Sequence, residues 1–241
     1  MSEAETENDE AQVSITLEAC VGSLEGALVA EQAGADRIEL NVALELDGLS
    51  PSPGLLQLVS QAVRIPVITM ARPRAGNFVY SESEWETLLA DAKWQIDHGA
   101  RGIAFGCLTP SGQVDARRCE QMRSLAGSRE LVFHKAFDDV SNWALGLDIL
   151  IKSGINRVMT SGQNPTALEG VSVISAIKDH SSGRIEILPA GRIGAGNATE
   201  ILTKTGCNQL HGSFSSGSDG NVAKEIRHTR DVIKSRFEHL G

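Results

Sequence analysis

The chain has few of the residues that nucleic-acid binders rely on. One Tyr, three Trp and six Phe amount to 4% aromatics, too few for stacking platforms against single-stranded bases. Positive charge is scarce as well: 22 Lys and Arg stand against 31 Asp and Glu, a net of −9. A surface of that sign argues against nucleic-acid backbones and anionic membranes as partners. No apolar run reaches the length of a membrane span. The four cysteines, Cys20, Cys107, Cys119 and Cys207, contain no CxxC, so neither a disulfide framework nor a zinc-ribbon spacing is present. The opening MSEAETENDEAQ lacks the basic and apolar regions of a secretory signal and carries five acids in its first ten residues. Residues 1–12 are therefore expected to be a disordered acidic tail, and residues 13–241 one folded domain in a reducing cytoplasm.

What is present is alternation. β-type apolar runs fall at 15–21, 37–42, 66–72, 102–108, 130–137, 157–161, 185–193 and 209–214. Amphipathic helical patterns lie between them. Ser23 is placed to cap the first, with Gly34 as its stop; Ser81 and Glu84 have capping-box spacing, with Gly99 beyond that helix. GADRIEL, GARGIAF, GINRVMT and GCNQLHG repeat one grammar, a helix-stopping glycine followed by a strand. Eight such βα units with no domain break predict an α/β fold, a (β/α)8 TIM barrel, over a doubly wound open sheet.

Barrels of this kind place their working face at the C-terminal ends of the strands. The polar residues predicted there are Glu18 and Cys20, Glu39 and Asn41, Arg72, His134 and Lys135, Asp138, Ser161, Arg192, and His211 with Ser213. Glu18 with Cys20, and Glu39 with Asn41, share a strand face because side chains alternate. Two readings are open. Glu18, Glu39, Arg72 and Arg192 could form a buried ion-pair layer, since buried carboxylates need partners. Alternatively Glu18, Glu39, His134, Asp138 and His211 do acid–base work, or Glu18, Glu39, His134 and His211 hold a divalent metal, while Arg72, Lys135, Ser161, Arg192 and Ser213 hold an anion. The glycine-rich runs AGRIGAGNATE and HGSFSSGSDGN follow strands seven and eight, where barrel phosphate sites usually lie. Cys107, Cys119 and Cys207 are expected to be buried or incidental thiols.

The runs LEACVGSLEGALVAEQAGADRIEL, PVITMARPRAGNFVYSESE, FGCLTPSGQVD, FHKAFDDV, TSGQNPTALEG and LHGS together resemble the CutC copper homeostasis family over about residues 15–214. The resemblance implies a TIM barrel, a cytoplasmic homo-oligomer (dimer or tetramer) and Cu(I) held by cysteine thiolates. Family members often carry cysteine at the ends of strands one and two. Here Cys20 keeps the first position and Asn41 occupies the second, so that two-thiolate pair cannot form, and an amide is a poor ligand for a soft ion. Lys135 stands where the family has arginine, and Arg192 where it has glycine. Two functions follow: a copper-handling protein relying on Cys20, or a barrel enzyme (isomerase, epimerase or lyase) acting on a small anionic metabolite such as a sugar or sugar phosphate.

Overall fold

The computed structural model describes residues 14–214 and 221–237. The expected acidic tail therefore lies outside the described residues, as does part of the glycine-rich run after strand eight. In chain order the elements are β1 (Thr16–Val21), α1 (Leu24–Gln32), β2 (Arg37–Leu40), α2 (Pro53–Ala62), β3 (Val67–Met70), α3 (Glu82–Asp97), β4 (Gly102–Phe105) and α4 (Ala116–Ala126). Then follow β5 (Glu130–Phe133), α5 (Trp143–Lys152), β6 (Arg157–Thr160), α6 (Val171–Ser181), β7 (Glu186–Pro189), α7 (Ala198–Thr205), β8 (Gln209–Gly212) and α8 (Val222–Phe237). Neighbouring strands pair in parallel in the order β7-β6-β5-β4-β3-β2-β1-β8. A parallel bridge from Ala190 to His211 joins the two ends of that order and closes the barrel. The fold is a (β/α)8 TIM barrel.

Local chemistry sets the helix ends where the sequence places them. Ser23 accepts from the Gly26 N–H at the start of α1, and Ser81 and Glu84 complete a capping box at α3. Gly34, Gly99, Gly154 and Gly206, each just past a helix, take positive φ. The strands are shorter than the apolar runs. β5 stops at Phe133, and Lys135–Asp139 is a 3-10 turn rather than strand, because the His134 side chain accepts from the Ala136 N–H. β7 stops at Pro189, so Arg192 lies in the following loop with φ 54. The residues trimmed from the runs include Asn41, Arg72, His134, Lys135, Ser161, Arg192 and Ser213, all expected at the working face.

Two zones fill the barrel below its mouth. The first residues of β2, β5, β6, β7 and β8 are Arg37, Glu130, Arg157, Glu186 and Gln209. They form a charged belt: Arg37 pairs with Glu18 and donates to Gln209 at 2.9 Å, and Gln209 donates to Glu186 at 3.2 Å. Arg157 pairs with Glu186 at 2.6 Å and with Glu130 at 3.4 Å. Above the belt sits an apolar plug of Ile68, Met70, Ala104, Val132, Met159, Leu188 and Ala190. The other strand face packs Leu17, Ile38, Ile103, Phe133, Val158 and Leu210 against the helices. The expected ion-pair layer thus exists, but with different members: Glu18 belongs to it, and Glu39, Arg72 and Arg192 do not. Among the described residues, no helix is long and apolar enough to cross a membrane.

Candidate functional site

The strand register decides which polar groups meet. Glu18 on β1 is level with Arg37 on β2 and with His211 on β8, and Cys20 is level with Glu39. All point into the barrel, one register step apart. His211 Nδ1 lies 2.8 Å from Glu18 Oε1. That contact turns His211 Nε2 toward the mouth, 3.8 Å from Glu39 Oε2. Asn41 donates its amide to Glu39 Oε2 at 2.8 Å and to Cys20 Sγ at 3.3 Å. One ligand atom each from Cys20, Glu39 and His211 falls within 4.8 Å of the others.

Burial and mutual charge set the protonation of this cluster. Burial alone would push Glu18 up, but Arg37 and His211 outweigh it and hold the carboxyl at about 2. Burial, with Glu18 nearby, pushes Glu39 above the usual carboxylate range against the pull of His211. Burial pushes the Cys20 thiol up. For His211 burial favours the neutral ring, yet Glu39, Cys20 and Glu18 prevail and hold its pKa well above the ordinary histidine value. The cluster therefore has a charged imidazole clamped between two carboxyls.

The cluster forms the floor of a cleft of about 430 Å³ at the C-terminal end of the barrel. Of the expected site residues, Cys20, Glu39, Arg72, His134, Lys135, Arg192, His211 and Ser213 line it. Three do not. Glu18 lies beneath His211 in the charged belt, 1% exposed, and acts by orienting the imidazole. Asp138 is taken up as a staple: it accepts from the Thr160 hydroxyl and from the backbone N–H groups of Ser161 and Gln163. Ser161 is the other half of that staple, its hydroxyl 2.8 Å from Asp138 Oδ2 and 2.6 Å from the Asn164 carbonyl.

Arg72 reaches the cleft but is engaged with backbone. Its Nη1 donates to the carbonyls of Leu46, Asp47 and Gly48 at 3.0–3.1 Å, and its Nη2 to Gly76 at 3.0 Å. It straps the β2–α2 loop over the mouth, and only its Nε, which is buried, lacks a partner. Gly48 has to be glycine in that loop, at φ +83, because a Cβ there would come within 2.5 Å of Asn41 Oδ1. Part of the expected phosphate turn after β7 is engaged from within: Gly194 N–H donates to Asn197 Oδ1 and Ala195 N–H to the Glu225 carboxylate at 2.9 Å, while Gly191 and Arg192 of the same turn line the cleft.

His134 is buried with its Nδ1 accepting from the Ala136 N–H at 3.1 Å, so the neutral ring carries its proton on Nε2. Burial, with the Arg72 charge facing it from the β3 end, pushes it down to about 3 from 6.5. The unfolded chain takes up this proton near 6.5, whereas the folded chain resists it down to about 3. The stability contributed by the neutral ring is complete above that unfolded value and is lost as pH falls. Glu18 adds a loss of the same sign between 4.5 and about 2. His134 should contribute a loss of stability with acid of up to about 1.4 kcal/mol per pH unit between pH 7 and 5, set against the opposite contributions of His211 and Glu39, whose raised values favour the folded state as pH falls. Urea unfolding of the protein and of His134→Gln isolates it: stability should fall more with acid, or rise less, in the unsubstituted protein, and equal pH dependence in the two would refute the buried neutral ring.

Cys107, Cys119 and Cys207 are all buried, and Cys107 Sγ lies 3.9 Å from Cys119 Sγ. Sequence reasoning does not find Arg37, although it shares the two-residue period of Glu39 and Asn41. Nor does it find Phe78 and Met159 in the cleft lining, which no local pattern marks.

Comparison with known proteins agrees with this geometry. A model of the CutC family matches residues 15–216. A CutC family protein of Treponema denticola is 50% identical over 198 residues, 82% of this chain and 80% of its own length. The human copper homeostasis protein cutC homolog is 40% identical over 206 residues, 86% of this chain and 76% of its own. The crystal structure of CutC from Streptococcus agalactiae superposes with a TM-score of 0.79 at 30% identity, covering 83% of this chain and 98% of that one.

Proposed function

The chain belongs to the CutC family, and we propose that it handles copper through the Cys20–Glu39–His211 cluster. The observation that carries this reading is the convergence of those three ligand atoms within 4.8 Å, with His211 already turned by Glu18. Metal-bound histidines commonly donate their second ring nitrogen to a carboxylate in this way. Bonds of about 2.0–2.3 Å spread at roughly 120° around one ion put three ligand atoms about 3.5–3.7 Å apart. His211 Nε2 and Glu39 Oε2 already stand 3.8 Å apart, and a separation at the 4.8 Å bound would have to close by about 1 Å. The names of relatives such as the human copper homeostasis protein cutC homolog support copper as the cargo.

Thiolate and imidazole suit Cu(I), and the Glu39 carboxylate adds an oxygen that a divalent ion would use. His211 and Asn41 thus stand in for the second thiolate, one as ligand and one by donating to Cys20 and Glu39. Binding has to displace the protons held on Cys20 and His211, so affinity should rise with pH. We further propose one barrel domain over residues 13–241 with residues 1–12 as its tail. A cytoplasmic location and assembly as a dimer or tetramer rest on the family resemblance.

The test is an anaerobic Cu(I) titration against a competing chelator, with Cys107→Ser and Cys119→Ser in the background so that the buried thiol pair contributes nothing. One Cu(I) per chain is expected, with affinity lowered at least about a hundredfold in Cys20→Ser, more than is usual for loss of an outer-shell partner. Binding indifferent to Cys20 would sink the copper reading.

A further inference from the structure

A metal ion leaves much of the cleft unexplained. Four buried polar atoms on its lining residues have no hydrogen-bond partner within the protein: Glu39 Oε1, Asn41 Oδ1, Arg72 Nε and His134 Nε2. A cation bound at the Cys20 end would satisfy Glu39 Oε1 but not Asn41 Oδ1, because Asn41 turns its amide nitrogen to Cys20 and its oxygen toward Gly48. It cannot satisfy Arg72 Nε and His134 Nε2, which are donors and need an acceptor oxygen. A buried donor left unmet is destabilising. The volume points the same way. About 430 Å³ lies within the range of roughly 300–1,000 Å³ typical of small-molecule sites and far exceeds the space of one ion.

The lining also restricts the charge of an occupant. The cations Arg72, Lys135 and Arg192 face the acids Glu39, Asp47 and Asp139 around the same cleft. The charged His211 is offset by Glu18 beneath it. No single sign dominates, and in the turn after β7 the Ala195 N–H is already taken by Glu225. Phe78 and Met159 give the cleft apolar walls beside its donors and acceptors. Such alternation suits hydroxyl groups, which donate and accept at once, on a carbon ring or chain.

We propose that the cleft binds an unphosphorylated, polyhydroxylated molecule of monosaccharide size through Arg72 Nε, His134 Nε2, Glu39 and Asn41. This site shares its floor with the metal cluster but does not rest on the copper reading. It also narrows the anionic metabolite considered from sequence to a ligand of little net charge.

The test is saturation-transfer NMR with D-ribose, D-glucose, D-arabinose and myo-inositol, beside ribose 5-phosphate and glucose 6-phosphate, on the full-length protein. At least one unphosphorylated probe should bind. Met159→Trp, which fills the cleft and leaves every polar group in place, should abolish the signal. His134→Phe should weaken it by about tenfold, the effect of one lost hydrogen bond. Cys20→Ser should retain it while losing Cu(I), which separates this proposal from the copper one. Circular dichroism melting confirms that each variant is folded. Binding by the phosphorylated probes alone, binding that survives Met159→Trp, loss of binding in Cys20→Ser, or no binding by any probe would overturn the proposal.

Discussion

Asn41→Cys is expected to tighten Cu(I) binding by about a hundredfold or more, a gain of roughly 3 kcal/mol. The Asn41 amide nitrogen already lies 3.3 Å from Cys20 Sγ, and the residue is 1% exposed. A thiol on the same Cβ would stand beside the Cys20 thiol in the same dry pocket, and two thiolates suit Cu(I) far better than a thiolate and an amide. The substitution also removes the Asn41 carbonyl oxygen, which has no partner. Against this, Glu39 loses a donor at 2.8 Å, a loss that the bound ion offsets. Chelator competition under reducing conditions reads the affinity. Mild oxidation of the metal-free variant should also join Cys20 to the introduced thiol in a disulfide, seen as two thiols lost to a thiol reagent. An unchanged Cu(I) affinity would mean that Cys20 is not a copper ligand.

The second large effect concerns the bottom of the barrel. Arg37→Leu should destabilise the fold by about 3 kcal/mol, the lower end for breaking a buried pair, because Glu18 keeps only the His211 imidazole beside it to offset its buried charge. Arg37 is 7% exposed, pairs with Glu18 and holds Gln209, which in turn holds Glu186. The loss therefore spreads along the belt rather than stopping at one contact. Without Arg37, burial should raise the Glu18 carboxyl from about 2, so the variant should also unfold at a higher pH on acid titration. Adding Glu18→Met should recover part of the loss, since a matched apolar pair can equal a buried ion pair. Urea denaturation at neutral pH reads all three proteins; a cost below about 1 kcal/mol, the range of a surface pair, would show that the belt is solvated.

The site is partly visible in the sequence for a simple reason. Cys20, Glu39, His211 and their neighbours sit at strand ends, and a period of two puts Glu18 with Cys20 and Glu39 with Asn41 on one face. Periodicity reports the face but not the depth. It groups Glu18 with the mouth, yet Glu18 lies one register step lower, where Arg37 claims it. Charge alone marks Arg72 and Asp138 as site residues, one for an anion and one for acid–base work, but each is consumed by backbone groups of neighbouring loops. The glycine-rich turn after β7 has the composition of a phosphate cradle, and a carboxylate from α8, distant in sequence, takes its Ala195 N–H.

By itself the sequence determined the barrel, the helix caps and the membership of Cys20, Glu39, His134 and His211 in one mouth. Each depends on spacing within a βα unit: apolar period, capping side chain, helix-stopping glycine. Tertiary structure alone decided which charges cancel one another and which stay available. That outcome depends on register between strands far apart in the chain. Glu18 meets His211 across 193 residues, and Arg37 meets Gln209 across 172. No local pattern encodes those distances, because they exist only once the eight strands have closed on themselves.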